Sequence, residues 1–211
     1  MPTLKIICLF SALALSSLSF AQDWFEFTSS EDHFTINMPV EPSVEEISWP
    51  SEYGAVFPGR LYTSESGDRA YAVTVIDYKN ALEVHKARTN TTAADGPVNY
   101  QYWRIDVIAS VAYAATQFRN RGSEVTYDAW HHIERVYGHQ LNLTNPDNSR
   151  SYVGIYLHKD RLYIVEATVP DGSPPQGHFQ QSLGFNDEDG VRIRYQWLDD
   201  GSLVREESPN A

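Results

Sequence analysis

Tyr71-Ala72-Val73-Thr74-Val75-Ile76-Asp77-Tyr78 is largely apolar on both of its alternating faces. Successive side chains of an extended segment point to opposite sides, so Tyr71, Val73 and Val75 share one face and Ala72, Thr74 and Ile76 the other. A strand of that kind belongs at the centre of a sheet covered on each side. Working back, Gly59 to Ser64 enters it through the turn Glu65-Ser66-Gly67-Asp68, and Val44 to Trp49 precedes with the turn Pro50 to Gly54. Earlier still, Trp24-Phe25-Glu26-Phe27 and the polar turn Ser29 to Asp32 lead to His33-Phe34-Thr35-Ile36-Asn37-Met38. This run places Phe34, Ile36 and Met38 on one face. Pro39 and Pro42 end it, because proline cannot donate to a sheet ladder.

Downstream the period changes. Tyr100, Trp103, Val107, Ile108, Val111, Ala115 and Phe118 recur at steps of three and four, the stripe of an amphipathic helix. The spacing predicts a helix over 99–118, with Asp95 as a cap, Pro97 near its start and Gly122 as its stop. Its stripe is expected to close the sheet face made by Tyr71, Val73 and Val75. Ala81 to Arg88 has too brief a period to be assigned. Strands then resume: Ile133 to Leu143, the turn Asn145-Pro146-Asp147-Asn148 and Ser151 to Leu157 read as a hairpin. Lys159-Asp160 reverses the chain into Arg161 to Val169, and Phe179 with Leu183 marks a short helix. The end alternates from Val191 to Trp197 between the acidic turn Asn186 to Gly190 and Asp199-Asp200-Gly201. With no internal repeat or linker, the reading is one α+β domain over 22–185 and an acidic C-terminal hairpin or tail over 186–211.

The first 21 residues carry a different message. Lys5 gives a positive start, Ile6 to Leu15 is apolar apart from Ser11, and Ser16, Ser17 and Ser19 lead to Phe20-Ala21-Gln22. These are the parts of a secretory signal peptide, expected to be cut after Ala21. Its apolar run of roughly ten residues is about half of what spans a bilayer. The one cysteine, Cys8, falls inside the leader, so the exported chain is expected to hold its fold without disulfides. That usage points to a bacterial periplasm or extracellular space. Net charge is −12 at pH 7, and losing Lys5 with the leader takes it to −13. So acidic a surface repels phosphate backbones and anionic headgroups, which argues against nucleic acid as a partner. No second run is long enough to cross a membrane, so the exported chain is expected to be soluble.

Chemistry is sparsely signalled. His131-His132-Ile133-Glu134, with His139 nearby, is the densest group of possible ligands. On a strand His132 and Glu134 share a face, which makes them the candidate metal ligands. Zinc wants three or four convergent donors, and no protease-type His spacing accompanies the pair. The turn Asn186-Asp187-Glu188-Asp189-Gly190 lacks the donors of a calcium loop at Phe185 and at Gln196 to Trp197. There is no Gly-x-Ser-x-Gly elbow, since Gln181-Ser182-Leu183-Gly184 lacks its first glycine, and no Gly-rich phosphate loop. Two triplets, at Asn90 and Asn142, match the glycosylation pattern, which matters only in a eukaryotic secretory route. Tyrosine (13), phenylalanine (9) and tryptophan (5) are abundant. Such rings either line a ligand groove or serve as ordinary strand residues.

Phe34-Thr35-Ile36-Asn37-Met38-Pro39 with Pro42 resembles the opening strand of small secreted bacterial proteins of the PsbP superfamily. Arg161-Leu162-Tyr163-Ile164-Val165, followed after a Pro-containing loop by Phe179-Gln180-Gln181-Ser182-Leu183, resembles that group's last strand and closing helix. The resemblance runs in order from Trp24 to Phe185 and stops before the tail. It implies a single antiparallel sheet flanked by helices, an α/β/α sandwich. Members are mostly accessory or binding proteins without a shared catalytic set, so no cofactor is implied. The expected function is that of an exported, non-enzymatic accessory or binding protein whose partner is a protein or small molecule. The alternatives are a hydrolase or metal-dependent envelope enzyme using His132 and Glu134, and a structural partner in an envelope complex.

Overall fold

The computed structural model describes residues 24–89 and 102–206. The leader, the expected helix start at Asn99 and the cap at Asp95 with Pro97 lie outside them. In chain order the elements are β1 (Phe25–Ser29), β2 (Phe34–Met38), β3 (Ser43–Pro50), β4 (Val56–Ser66), β5 (Arg69–Asp77), α1 (Ala81–Thr89) and α2 (Tyr102–Arg119). After these come β6 (Glu124–Ile133), β7 (Val136–Thr144), β8 (Arg150–His158), β9 (Arg161–Val169), the single turn α3 (Gly177–Gln180) and β10 (Gly184–Asn186). The short strands β11 (Arg192–Ile193), β12 (Tyr195–Trp197) and β13 (Leu203–Arg205) close the described chain.

The main sheet is antiparallel, with seven strands in the order β3-β4-β5-β9-β8-β7-β6. β5 pairs with β4 on one side and β9 on the other, as its two apolar faces predict. Two hairpins of this sheet turn on residues with positive φ at both central positions, Glu134-Arg135 (47° and 62°) and Lys159-Asp160 (47° and 57°). Turns of that hand match the right-handed twist of the flanking strands, which is why non-glycine residues are held there despite the backbone cost.

The expected single sheet flanked by helices is corrected by the structure. Among the described residues there are three sheets, of seven, four and two strands, and one face of the large sheet carries the two longer helices. The other face is covered by a four-stranded sheet, β1-β2-β10-β11, together with the single turn α3. Phe34, Ile36 and Met38 of β2 are fully buried there against Tyr62, Tyr71, Tyr163, Phe179 and Phe185 of the same core. Alternation in 33–38 identifies a strand with one apolar face, but the pattern is the same whether that strand extends one sheet or stacks on another.

The sheet face expected to receive α2 is also corrected. Tyr71, Val73 and Val75 face the small sheet, and α2 lies on the opposite face with Ile76, Leu141, Leu143, Val153, Ile155 and Ile164. Val107, Ala114, Ala115 and Phe118 of α2 are buried in that contact, the two alanines letting the helix sit close. Trp103 and Val111 are half-buried at its border, while Ile108, expected on the stripe, is exposed.

Candidate binding surface

Among the described residues β6 is an edge strand paired with β7, and α2 packs chiefly over β7 and β8. Side chains on the helix-side face of β6 therefore extend past the helix into solvent. Trp130 is the extreme case at 77% exposure, its ring edge-on to His139 at 5.7 Å. Tyr137, next on the hairpin, is 61% exposed and packs at 5.9 Å against Trp197 of β12. Ile108, likewise 61% exposed, faces the same space from α2. Together with Val111, Leu157, Tyr195 and Leu203 these residues line an open groove of about 450 Å³, with Arg135 and Lys159 at its rim.

The walls are anchored. Arg119 at the end of α2 donates from Nε to Asp128 Oδ2 at 2.6 Å and from Nη2 to Oδ1 at 3.0 Å, and His139 bonds the same carboxylate. The Arg119 guanidinium, joined by His139, holds the Asp128 carboxyl down at about 2. On the opposite wall His158 Nε2 meets the Tyr195 hydroxyl at 2.8 Å, and Arg135 donates to the Tyr195 carbonyl and pairs with Glu206 at 3.7 Å. Large apolar groups set on fixed elements yet left in water are the mark of an interaction surface. Buried anchors of such surfaces are characteristically aromatic.

The expected metal ligands sit on different local structures, His132 on the strand and Glu134 in the turn that follows it. His132 is exposed near the end of β6, its ring stacked on His131 at 5.9 Å. Glu134 falls beyond the strand, in the positive-φ turn, so the alternation that would align it with His132 ends at Ile133. Its Oε1 accepts from Arg192 Nη2 at 2.8 Å. His131 points to the other face and bonds the Tyr156 hydroxyl at 2.9 Å, and burial, aided by His132, pushes its pKa down. Among the described residues no group of three or more His, Cys, Asp or Glu could hold a metal ion.

One constellation gives no sign in the sequence. Ser51, before β4, donates to Asp106 Oδ2 at 2.5 Å, and His85 Nε2 of α1 meets the same oxygen at 2.9 Å. All three are buried, at 5%, 1% and 1% exposure. Nucleophile activation needs the imidazole between serine and carboxylate, so that it can take the hydroxyl proton. Here the carboxylate is in the middle, and the arrangement ties α1, α2 and the 51–55 loop together. No spacing rule joins residues 51, 85 and 106, because only the tertiary fold brings them together.

No family model matches the chain, and no curated protein matches it. Among solved structures the chain is similar to the solution structure of cyanobacterial PsbP from Synechocystis sp. PCC 6803, with a TM-score of 0.44 and 10% identity over 83% of this chain and 99% of that one. PsbP is also the group named by the sequence resemblance.

Proposed function

We propose that this chain is an exported, non-enzymatic accessory protein that binds a partner protein through the groove between α2, the β6–β7 hairpin and the β12–β13 hairpin. The observation that supports it is the contiguity of Trp130, Tyr137, Trp197 and Ile108, all exposed and all on anchored elements. A protein partner suits a wide, open, aromatic-lined surface better than a small molecule, which needs most of its own area enclosed. Lys159, which also lines the groove, gives an otherwise acidic chain local attraction for an acidic border on the partner.

The test is site-specific photocrosslinking in the cell envelope. A photoreactive residue at Trp130 should give one discrete adduct that the remote exposed position Glu46 on β3 does not give. Tyr137→Ala should abolish that adduct without moving the thermal midpoint. Adducts of equal yield from both positions, or none from Trp130, would overturn the proposal.

A further inference from the structure

We propose that a second site, in the cleft between the β8–β9 turn and β10, binds a small oxyanion. The cleft opens where the large and small sheets meet and holds about 80 Å³. A cavity of that size admits a few water-sized groups and no nucleotide. Its lining includes Lys79, Lys159 and Arg161 with His33, His158 and Asn186.

Two buried side chains decide its chemistry. Arg161 is 7% exposed, and among the described residues its guanidinium has no carboxylate within ion-pair distance. Its Nε is buried with no hydrogen-bond partner. Asn186 is 3% exposed, and both its amide nitrogen and its amide oxygen are buried without partners. Native proteins pair buried polar atoms, and pair or neutralise buried charges. Water can satisfy the amide but brings no countercharge to the guanidinium, whereas an oxyanion accepts from both groups in the forked geometry that arginine favours.

The neighbouring carboxylates do not fill that role. Asp187 gives Oδ2 to Arg205 at 2.5 Å and Oδ1 to the amides of Asp189 and Val191. Asp77, opposite Arg161 on β5, accepts from the Lys79 amide at 2.8 Å and makes no ion pair with Arg161. Glu188 is exposed. His33 spends Nδ1 on the Asp187 carbonyl at 2.9 Å, and His158 spends Nε2 on Tyr195. Arg161 Nε and the Asn186 amide are thus left without a protein partner, and Lys79 and Lys159 line the same cleft. The site is independent of the aromatic groove except for His158 and Lys159, which border both.

The experiment is an NMR titration of the full chain with inorganic phosphate, sulfate and acetate, each against sodium chloride at matched ionic strength. The side-chain amide resonances of Asn186 should shift saturably with at least one oxyanion, and the preference among the three tells a tetrahedral anion from a carboxylate. Arg161→Gln should weaken binding roughly ten- to a hundredfold, the loss of one charge-assisted contact. Lys79→Gln, at an exposed position that leaves folding intact, should weaken it severalfold and keeps the test decisive if the Arg161 variant unfolds. Absence of a saturable Asn186 shift with all three anions, or a response that chloride reproduces, would overturn the proposal.

Discussion

Replacing Asp106 by alanine removes one oxygen on which two buried donors depend. Ser51 Oγ lies 2.5 Å and His85 Nε2 2.9 Å from Asp106 Oδ2, and neither donor has solvent to fall back on. A hydrogen bond to a charged group contributes about 1.5–3 kcal/mol, and breaking a buried charged network by deleting one partner costs about 3–5 kcal/mol. Against a total stability of roughly 5–15 kcal/mol, Asp106→Ala is expected to remove a third or more. Asp106→Asn keeps the shape and one acceptor, so it should cost about 1–2 kcal/mol. Equilibrium urea unfolding followed by far-ultraviolet circular dichroism gives both values. The decisive variant is the double substitution Ser51→Ala with Asp106→Ala. If one carboxylate serves both donors, the loss from Ser51→Ala is already contained in Asp106→Ala, and the two effects fall well short of additive. Full additivity, or a loss below about 1 kcal/mol for Asp106→Ala, would show that this carboxylate does not tie α1, α2 and the 51–55 loop together.

Burial, joined by Lys159 and Arg161, lowers the His158 pKa to about 4, so the ring is neutral in the folded chain and takes up a proton on unfolding below its ordinary value. Its contribution is therefore complete above about pH 6.5 and is lost as pH falls toward 4, on the order of 3 kcal/mol in all. His158→Gln should flatten the urea midpoint across that window, and an unchanged pH slope would refute the assignment. A Cβ at Gly138 would stand 2.1 Å from the Ile155 carbonyl and 2.4 Å from the Tyr156 ring, so β7 and β8 would have to part. Gly138→Ala should then cost about 3 kcal/mol, the upper end of overpacking, in the same unfolding assay. Carboxyl NMR should find Asp128 titrating near 2 in the native chain, and Arg119→Gln should return it toward the ordinary carboxylate range.

What was legible in the sequence was whatever local periodicity encodes. The two apolar faces of 71–78 gave β5 its interior position, and steps of three and four gave α2 to within a few residues of its end at Arg119. Choice of face was not legible, because Tyr71-Val73-Val75 and Ala72-Thr74-Ile76 are both apolar enough to receive a helix. What decided it is the complement: Phe34, Phe179 and Phe185 fill one side with rings, while Ala114 and Ala115 need the closely approached side beneath α2. β6 was only partly visible, for its exposed pattern and the irregular register between Val125 and Tyr127 erase alternation, and Glu134-Arg135 lacks the Asn-Gly signal of a tight hairpin. The same features set the candidate surface. An edge strand read by solvent rather than by a core has no reason to keep an apolar period, so Trp130 looks in the sequence like any aromatic strand residue. Its meaning comes from α2 stopping short of it, a fact of packing that joins residues 108, 130, 137 and 197 on one side of the molecule.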